Sequence, residues 1–449
     1  MKFKKVLFSK LLLTALNLIF KYDKLESALI FNNIQIKRKE RTMYKAYYEH
    51  LKQSLKLDCK YILFTLVSVL IGALTGVIGS YFGIFIKLAT ECRASNPWLI
   101  YFMPVGAVLI YYFYNFTTGK KKADTNTVLK ASENKAPIPK RMAFQIFVST
   151  IFSHLIGASV GREGAALQLG GSIGYNTGKY LKVRDEYLDI MVMSGMAGAF
   201  SSLLGVPLTA AILAIEISSV GMIHYKALVP VVFSSLTAKY VATLIGAPVF
   251  SFGNVDVPAV TIVNLLKISL LGIILGMIAF LFIFVISYSN KLYSKIFKSP
   301  IVRGLVGGAI VLVLTLIVGS QDYNGSSADL ISVAINGKAS GFSFLLKIVF
   351  TALSLAAGFK GGAIVPSFVI GSTAGCALGS LVGIDPGFAA TLGIGAVFCG
   401  VTNCPMAALL FCFELFGMSG MPFYLLAVSI AFVFSYEKSF YSAQECNIY

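Results

Sequence analysis

Glu163 is the residue whose surroundings point most directly to chemistry. It stands in Gly161-Arg162-Glu163-Gly164-Ala165-Ala166-Leu167-Gln168, within a chain that is almost free of charge for long stretches. A carboxylate in such an apolar setting costs several kcal/mol unless it faces protein, water or an ion, which marks it as functional. The glycines on either side leave backbone N–H groups open to a small ligand. An acid beside bare amides describes a site where a carboxylate and a free anion compete for the same donors. A second glycine-rich stretch, Gly361-Gly362-Ala363-Ile364-Val365-Pro366, lies in the other half of the chain. Both stretches read as helix openings, at residues 162–166 and 362–366. A helix N-terminus presents unpaired N–H groups and a partial positive charge, so two of them aimed at one point hold an anion without a full cation. Partial charges bind modestly, which permits release. Glu163 then reads as a gate: ionised, its carboxylate fills the anion site, and protonated, it leaves. Adjacent residues on a helix do not face each other, so a direct Arg162–Glu163 ion pair is not expected.

Two further acids, Glu216 and Glu414, also sit in apolar runs. They read as helix-end hydrogen-bonding groups. The histidines at 50, 154 and 224 have no metal-ligand spacing, and the seven cysteines form no Cys-x-x-Cys pair, so neither a metal nor a cofactor is expected. No nucleophile or His-Glu-x-x-His constellation accompanies Glu163 or His154, which argues against an intramembrane enzyme.

The elements that must position these residues are membrane helices. The 449-residue chain is 57% hydrophobic and 13% charged, with a mean hydropathy of +0.78, and its apolar runs are long and continuous rather than alternating. Long segments such as 61–90 and 262–289 can cross a bilayer at a tilt, whereas shorter glycine-broken ones cannot cross alone. This mixture predicts an all-α polytopic membrane protein with discontinuous, tilted helices. Residue n set beside n+198 aligns Gly195 with Gly393, Phe200 with Phe398, Pro207 with Pro405, Ala210 with Ala408 and Glu216 with Glu414, and Arg162 and Gly164 with Lys360 and Gly362. Two inverted repeats follow, 56–250 and 251–449, with the site at their interface. Residues 1–55 form a basic extension containing a short apolar run, Leu11–Phe20, and Met43 is an alternative start. No soluble domain is expected after the last span.

The net charge is +18, and residues 1–60 hold 14 Lys/Arg against 5 Asp/Glu. A second basic cluster contains Lys120, Lys121, Lys122, Lys130, Lys135, Lys140 and Arg141. The positive-inside rule puts both clusters, and so the N-terminus, in the cytoplasm of a multi-pass inner (plasma) membrane protein. With no soluble basic domain, nucleic-acid binding is not expected.

Four segments resemble the CLC family of chloride channels and chloride/proton antiporters, over roughly residues 55–449. Gly161-Arg162-Glu163-Gly164 is similar to its G-K/R-E-G-P signature, with Ala165 in place of proline. Gly361–Pro366 resembles its G-x-F-x-P element, with Ile364 in place of phenylalanine. Phe440-Tyr441-Ser442-Ala443 resembles its final-helix tyrosine motif, and Asp124-Thr125-Asn126-Thr127-Val128 lies where the family carries G-S-G-I-P. The resemblance implies chloride/proton antiport by a homodimer with one pore per subunit. Glu163 is then the gating and proton-coupling glutamate, and Thr125, Asn126, Arg162, Gly164, Ala363, Ile364 and Tyr441 hold the anion. The family's internal proton acceptor falls on Ile217, which carries no proton. That departure leaves three alternatives open: Glu216 substitutes, the chain is a passive chloride channel, or it is a fluoride/proton antiporter of the same family.

Overall fold

The computed structural model describes residues 38–118, 124–250, 252, 255–435 and 439–446. The apolar run Leu11–Phe20, Lys120–Lys122 and most of the basic extension lie outside them. The chain divides into two units, residues 1–64 and residues 65–449. The second unit carries the site.

Among the described residues, sixteen α-helices fall into two series of eight. The first is α1 (Arg38–Ser95), α2 (Met103–Thr118), α3 (Thr125–Ser132), α4 (Met142–Leu155), α5 (Glu163–Tyr180), α6 (Leu188–Leu204), α7 (Pro207–Glu216) and α8 (Leu228–Ile245). The second is α9 (Ile262–Ile296), α10 (Pro300–Val318), α11 (Asp329–Ile335), α12 (Ser343–Ala357), α13 (Ile364–Val382), α14 (Pro386–Thr402), α15 (Pro405–Phe416) and α16 (Met421–Ser435). Seven helical segments among the described residues are long and apolar enough to cross a membrane, Tyr61–Ser95 and Ile262–Ile296 being the longest. Others, such as α4, α7, α12 and α15, are too short to cross alone. The chain is thus an all-α, multi-pass membrane protein with inverted repeats and broken helices.

Glycine explains how the centre packs. α6 and α14 are buried almost throughout. A Cβ on Gly170 of α5 would run into the carbonyl of Gly195 on α6, and one on Gly371 of α13 into the carbonyl of Gly393 on α14. Backbones approach this closely only where side chains are missing, and close van der Waals contact is what holds helices together in lipid. The peripheral helices α1, α2, α8, α9 and α10 instead carry exposed residues such as Leu66, Leu109, Phe233, Leu270 and Val313. These faces suit hydrocarbon rather than water.

The repeat register differs from a uniform 198. That offset holds for α6 against α14 and for the starts of α7 and α15, but α5 and α13 begin 201 apart. The physical reason is linker length: residues 181–187 join α5 to α6, whereas residues 383–385 suffice between α13 and α14. Lys360 and Gly362 are therefore not the structural mates of Arg162 and Gly164. The mate of Gly161 is Gly362.

Two reciprocal caps tie the series together. The Glu414 carboxylate, near the end of α15, accepts from the N–H groups of Leu208 (2.9 Å) and Thr209 (2.7 Å) and from Thr209 Oγ1 (2.6 Å) at the start of α7. Glu216, the last residue of α7, accepts from the N–H groups of Met406 (3.1 Å) and Ala407 (2.9 Å) at the start of α15. Each acid satisfies helix N-terminal donors that have no partner within their own helix.

Candidate functional site

The two glycine-rich openings meet. Gly161 and Gly362 form an antiparallel bridge in which each N–H donates to the other's carbonyl at 2.7 Å. A Cβ on Gly164 would lie 2.7 Å from Gly362 Cα, and one on Gly161 would lie 2.7 Å from Pro366 Cδ. Glycine at both positions is required by this approach. The bridge also consumes the Gly161 and Gly362 N–H groups, so the amides open to a ligand are those inside the first turns of α5 and α13. The caps of those turns are Arg162 and Ala363, with Ile364 opening α13.

Glu163 is fully buried. Its carboxylate turns back on its own helix start, where it accepts from the Arg162 N–H (3.1 Å) and from Arg162 Nε (3.1 Å). The expectation against an Arg162–Glu163 pair is therefore corrected. Arg162 is the cap rather than a helical residue, and from there the two side chains converge. The Arg162 guanidinium also lies 5.3 Å from the centroid of the Phe250 ring. Carboxylate and amide are thus already joined at this helix start.

The segment leading into Glu163 is held by residues the sequence did not single out. Lys347 on α12 is fully buried, and its Nζ donates to Ser159 Oγ (3.0 Å), Ser327 Oγ (2.8 Å), Tyr323 O (3.2 Å) and Gly325 O (2.9 Å). Asn324 donates to Gly157 O (2.8 Å), the Gly325 N–H to Ala158 O (3.1 Å), and Arg93 to His154 O (2.9 Å). A lone lysine within the apolar run 343–358 was the available signal.

A cavity of about 270 Å³ approaches the start of α5. Thr125, Asn126 and Tyr441 line it, and Gly164, Ala165, Gly361 and Gly362 lie along it. Glu163, Arg162, Ala363, Ile364 and Glu216 are not among its lining residues. The cavity thus reaches Gly164 and Ala165, which follow the buried Glu163, and Gly362 of the bridge. Glu216 is capping α15 elsewhere, with both oxygens occupied. Ile217 is fully buried, and its carbonyl accepts from Gln444 Nε2 at 3.0 Å.

Local structure explains each lining group. Asp124 caps α3 through a reciprocal box with Thr127, its Oδ1 accepting the Thr127 N–H at 3.0 Å. Residues 124–128 are therefore a helix start, which presents Thr125 and Asn126 to the cavity. Gln168, one turn into α5, donates from Nε2 to Thr125 Oγ1 at 2.7 Å. This leaves the Thr125 O–H free to donate elsewhere. Gln168 was visible in the Glu163 segment, but no spacing rule linked it to Thr125. Tyr441 does not sit on a helix: it lies in an irregular stretch after α16. It is buried, and its hydroxyl has no hydrogen-bond partner. The stretch is held by Ala443, whose N–H donates to Asn126 Oδ1 (3.0 Å), by Gln444, and by a short parallel ladder of β1 (Ser219–Val220) with β2 (Glu445–Cys446).

No group of three or more His, Cys, Asp or Glu among the described residues could hold a metal. The arrangement is a buried acid on amide donors, reached by a cavity lined with free hydroxyls. It can bind a small anion and move one proton.

The comparisons agree with this geometry. A family model described as "Voltage gated chloride channel" matches residues 102–436. A "Chloride/fluoride channel protein" of Pseudomonas syringae pv. tomato is 29% identical over 84% of this chain and 84% of its own length. An "H(+)/Cl(-) exchange transporter ClcA" of Vibrio cholerae is 24% identical over 78% of this chain and 81% of its own. Among solved structures, a CLC-type fluoride/proton antiporter superposes with a TM-score of 0.83 at 29% identity, covering 86% of this chain and 98% of that one. A slow cyanobacterial Cl-/H+ antiporter has a TM-score of 0.71 at 19% identity, covering 84% and 96%, and so shares the fold. The chain belongs to the voltage gated chloride channel family.

Proposed function

We propose that this protein exchanges a small halide anion for protons across the membrane, with Glu163 as the group shared by both ions. The observation that carries this reading is the Glu163 carboxylate. It is fully buried, it occupies amide donors that an anion would otherwise take, and an open cavity ends beside it. Protonation removes the charge that holds it there, so an anion and a proton are handled by one side chain. Tyr441 and Thr125 donate hydroxyls to the anion in the cavity, with Asn126 beside them. The first turns at Arg162–Gly164 and Ala363–Ile364 supply backbone donors deeper in. Glu216 remains a candidate for the internal proton path only if it leaves its cap on α15.

Chloride is the substrate expected from the motifs. Fluoride is the second reading, because the chain is similar to a chloride/fluoride channel protein of Pseudomonas syringae pv. tomato and to a CLC-type fluoride/proton antiporter of solved structure. The protein works as a homodimer in the plasma membrane, with its N-terminus and the cavity mouth on the cytoplasmic side, where the basic clusters belong.

The test is flux from proteoliposomes, with an anion electrode and external pH recorded together for wild type and Glu163→Gln. Wild type moves protons against an imposed anion gradient. In the variant, proton movement is abolished while anion flux persists. Chloride and fluoride gradients run in parallel assign the substrate. Anion flux without proton movement in wild type would make the protein a passive channel, and no anion flux under any gradient would sink the proposal.

A further inference from the structure

The α9 wall of the cavity carries a polar group that the exchange reading leaves without a task. Ser287 and Asn290, one turn apart on α9, both line the cavity. Asn290 is held from α10, where Arg303 Nη2 donates to Asn290 Oδ1 at 3.2 Å. A guanidinium can only donate, so the amide oxygen must face it and the amide nitrogen must face away. Arg303 therefore decides which end of Asn290 is committed. The Nδ2 group, with its two N–H donors, is left for the cavity. Arg303 is itself anchored, since its Nε donates to the Ala356 carbonyl in the last turn of α12. Charge around the pair is one-sided. Between Asp256 and Asp322 the chain has no acid, and the corner joining α9 to α10 carries Lys291, Lys295, Lys298 and Arg303. The three lysines are exposed, and the electrostatic neighbour of Arg303 is the Tyr293 phenol rather than a carboxylate. A guanidinium that only capped α12 would be served better by a carboxylate at 290, which would accept the same bond with the added gain of opposite charge. Asparagine keeps the pair positive and supplies a donor.

We propose that Asn290, oriented by Arg303, is a further anion-binding residue on the α9 wall of this cavity, for the same small monovalent halide that Tyr441 and Thr125 take. The inference rests on the exchange reading and extends it. The amide gives a directional bond from an uncharged donor, so the anion is held modestly and released again. The cations of the corner raise the anion concentration beside the cavity. Arg303 is a positioning residue, since it acts through Asn290.

Flux is measured in proteoliposomes as a function of anion concentration on the cavity side, for wild type, Asn290→Leu, Asn290→Asp and a triple variant with Lys291, Lys295 and Lys298 each replaced by Gln. Asn290→Leu raises the half-saturating concentration about fivefold, with the shift falling on that constant rather than on the maximal rate. Asn290→Asp keeps the acceptor for Arg303, so its thermal midpoint is at least that of wild type. Its half-saturating concentration nevertheless rises about tenfold, because a donor has been replaced by a charge that repels the anion. A merely structural Asn290 gives the opposite order, with Asn290→Asp matching wild type and only Asn290→Leu impaired, and that result overturns the assignment. The triple variant raises the constant about twofold at low ionic strength and matches wild type once an inert electrolyte is added. A constant indifferent to the three lysines at low ionic strength overturns the collecting role of the corner. Half-saturation unchanged in both Asn290 variants, with wild type transporting, overturns the site and leaves the exchange reading standing. No anion flux in wild type removes both.

Discussion

At the scale of single residues, the site depends on where protons and lone pairs are already committed. In the proposed exchange, Thr125 serves as a ligand because Gln168 occupies its acceptor side, leaving the O–H to point at an anion. Gln168→Leu frees that hydroxyl to bond elsewhere. A lost hydrogen bond of about 1 kcal/mol corresponds to roughly a fivefold rise in half-saturating anion concentration. Concentration-dependent flux checks this, and an unchanged constant would mean Thr125 needs no such orientation. The acid itself was legible in the sequence, because a carboxylate among glycines in an apolar chain has few bland explanations. Its partner was not. Arg162 and Glu163 are neighbours, and the rule that neighbours diverge holds only within a helix, whereas Arg162 is the cap. Lys347 and Lys360 were equally hidden. Each is a single charge near an apolar run, and its meaning lies in contacts far along the chain with Ser159, Ser327 and Tyr114.

At the scale of elements, helix existence was readable and helix register was less so. The Pro-to-Glu pattern in α7 and α15 located the repeat because proline starts and a terminal acid are local features. The three-residue slip between the site helices lies in the linkers, where no apolar period fixes alignment. The repeat mates at the site are consequently Gly161 and Gly362, which a uniform offset of 198 does not align. The acids on α7 and α15 give the test at this scale. Glu216→Gln keeps one acceptor for two N–H groups, and unfolding free energy falls by about 1–2 kcal/mol. The proton-to-anion ratio of the variant stays that of wild type. Thermal unfolding in detergent and paired flux recordings check the two halves of this expectation. Loss of proton movement with anion flux intact would instead give Glu216 a part in the proton path.

At the scale of the whole molecule, the tail that carries Tyr441 is attached by a polar cluster outside the membrane spans. Glu133, which follows α3, accepts from His224 Nε2 (2.8 Å) and Ser219 Oγ (3.0 Å), and Lys135 pairs with Glu445 of β2. Burial pushes the Glu133 carboxyl up, but the bonds from His224 and Ser219 outweigh it and hold it at about 2. A folded value below the unfolded one means that the stabilisation is fully present above about pH 4.5 and disappears as pH falls toward 2. Glu133→Gln therefore lowers the thermal midpoint by about 2 °C at neutral pH, and the wild-type and variant curves converge in strong acid. A midpoint difference that persists at pH 2 would assign the effect to packing instead. The fold class followed from composition alone, since no other solution suits so apolar a chain. The attachment of the tail could not be read, because β1 and β2 are two residues each and lie far apart in sequence.

The reciprocal caps have a consequence for how the protein is made. Leu208 and Glu414 are separated by 206 positions, so α7 enters the bilayer long before the acid that satisfies its first N–H groups has been translated. Unmet backbone donors are expensive in hydrocarbon. A ribosome paused anywhere between these residues leaves α7 without its lid. The early half must therefore wait beside the insertion machinery, or in its water-filled vestibule, until the late half arrives. Biogenesis is then a single commitment made near the end of translation, rather than a sequence of independently settled spans.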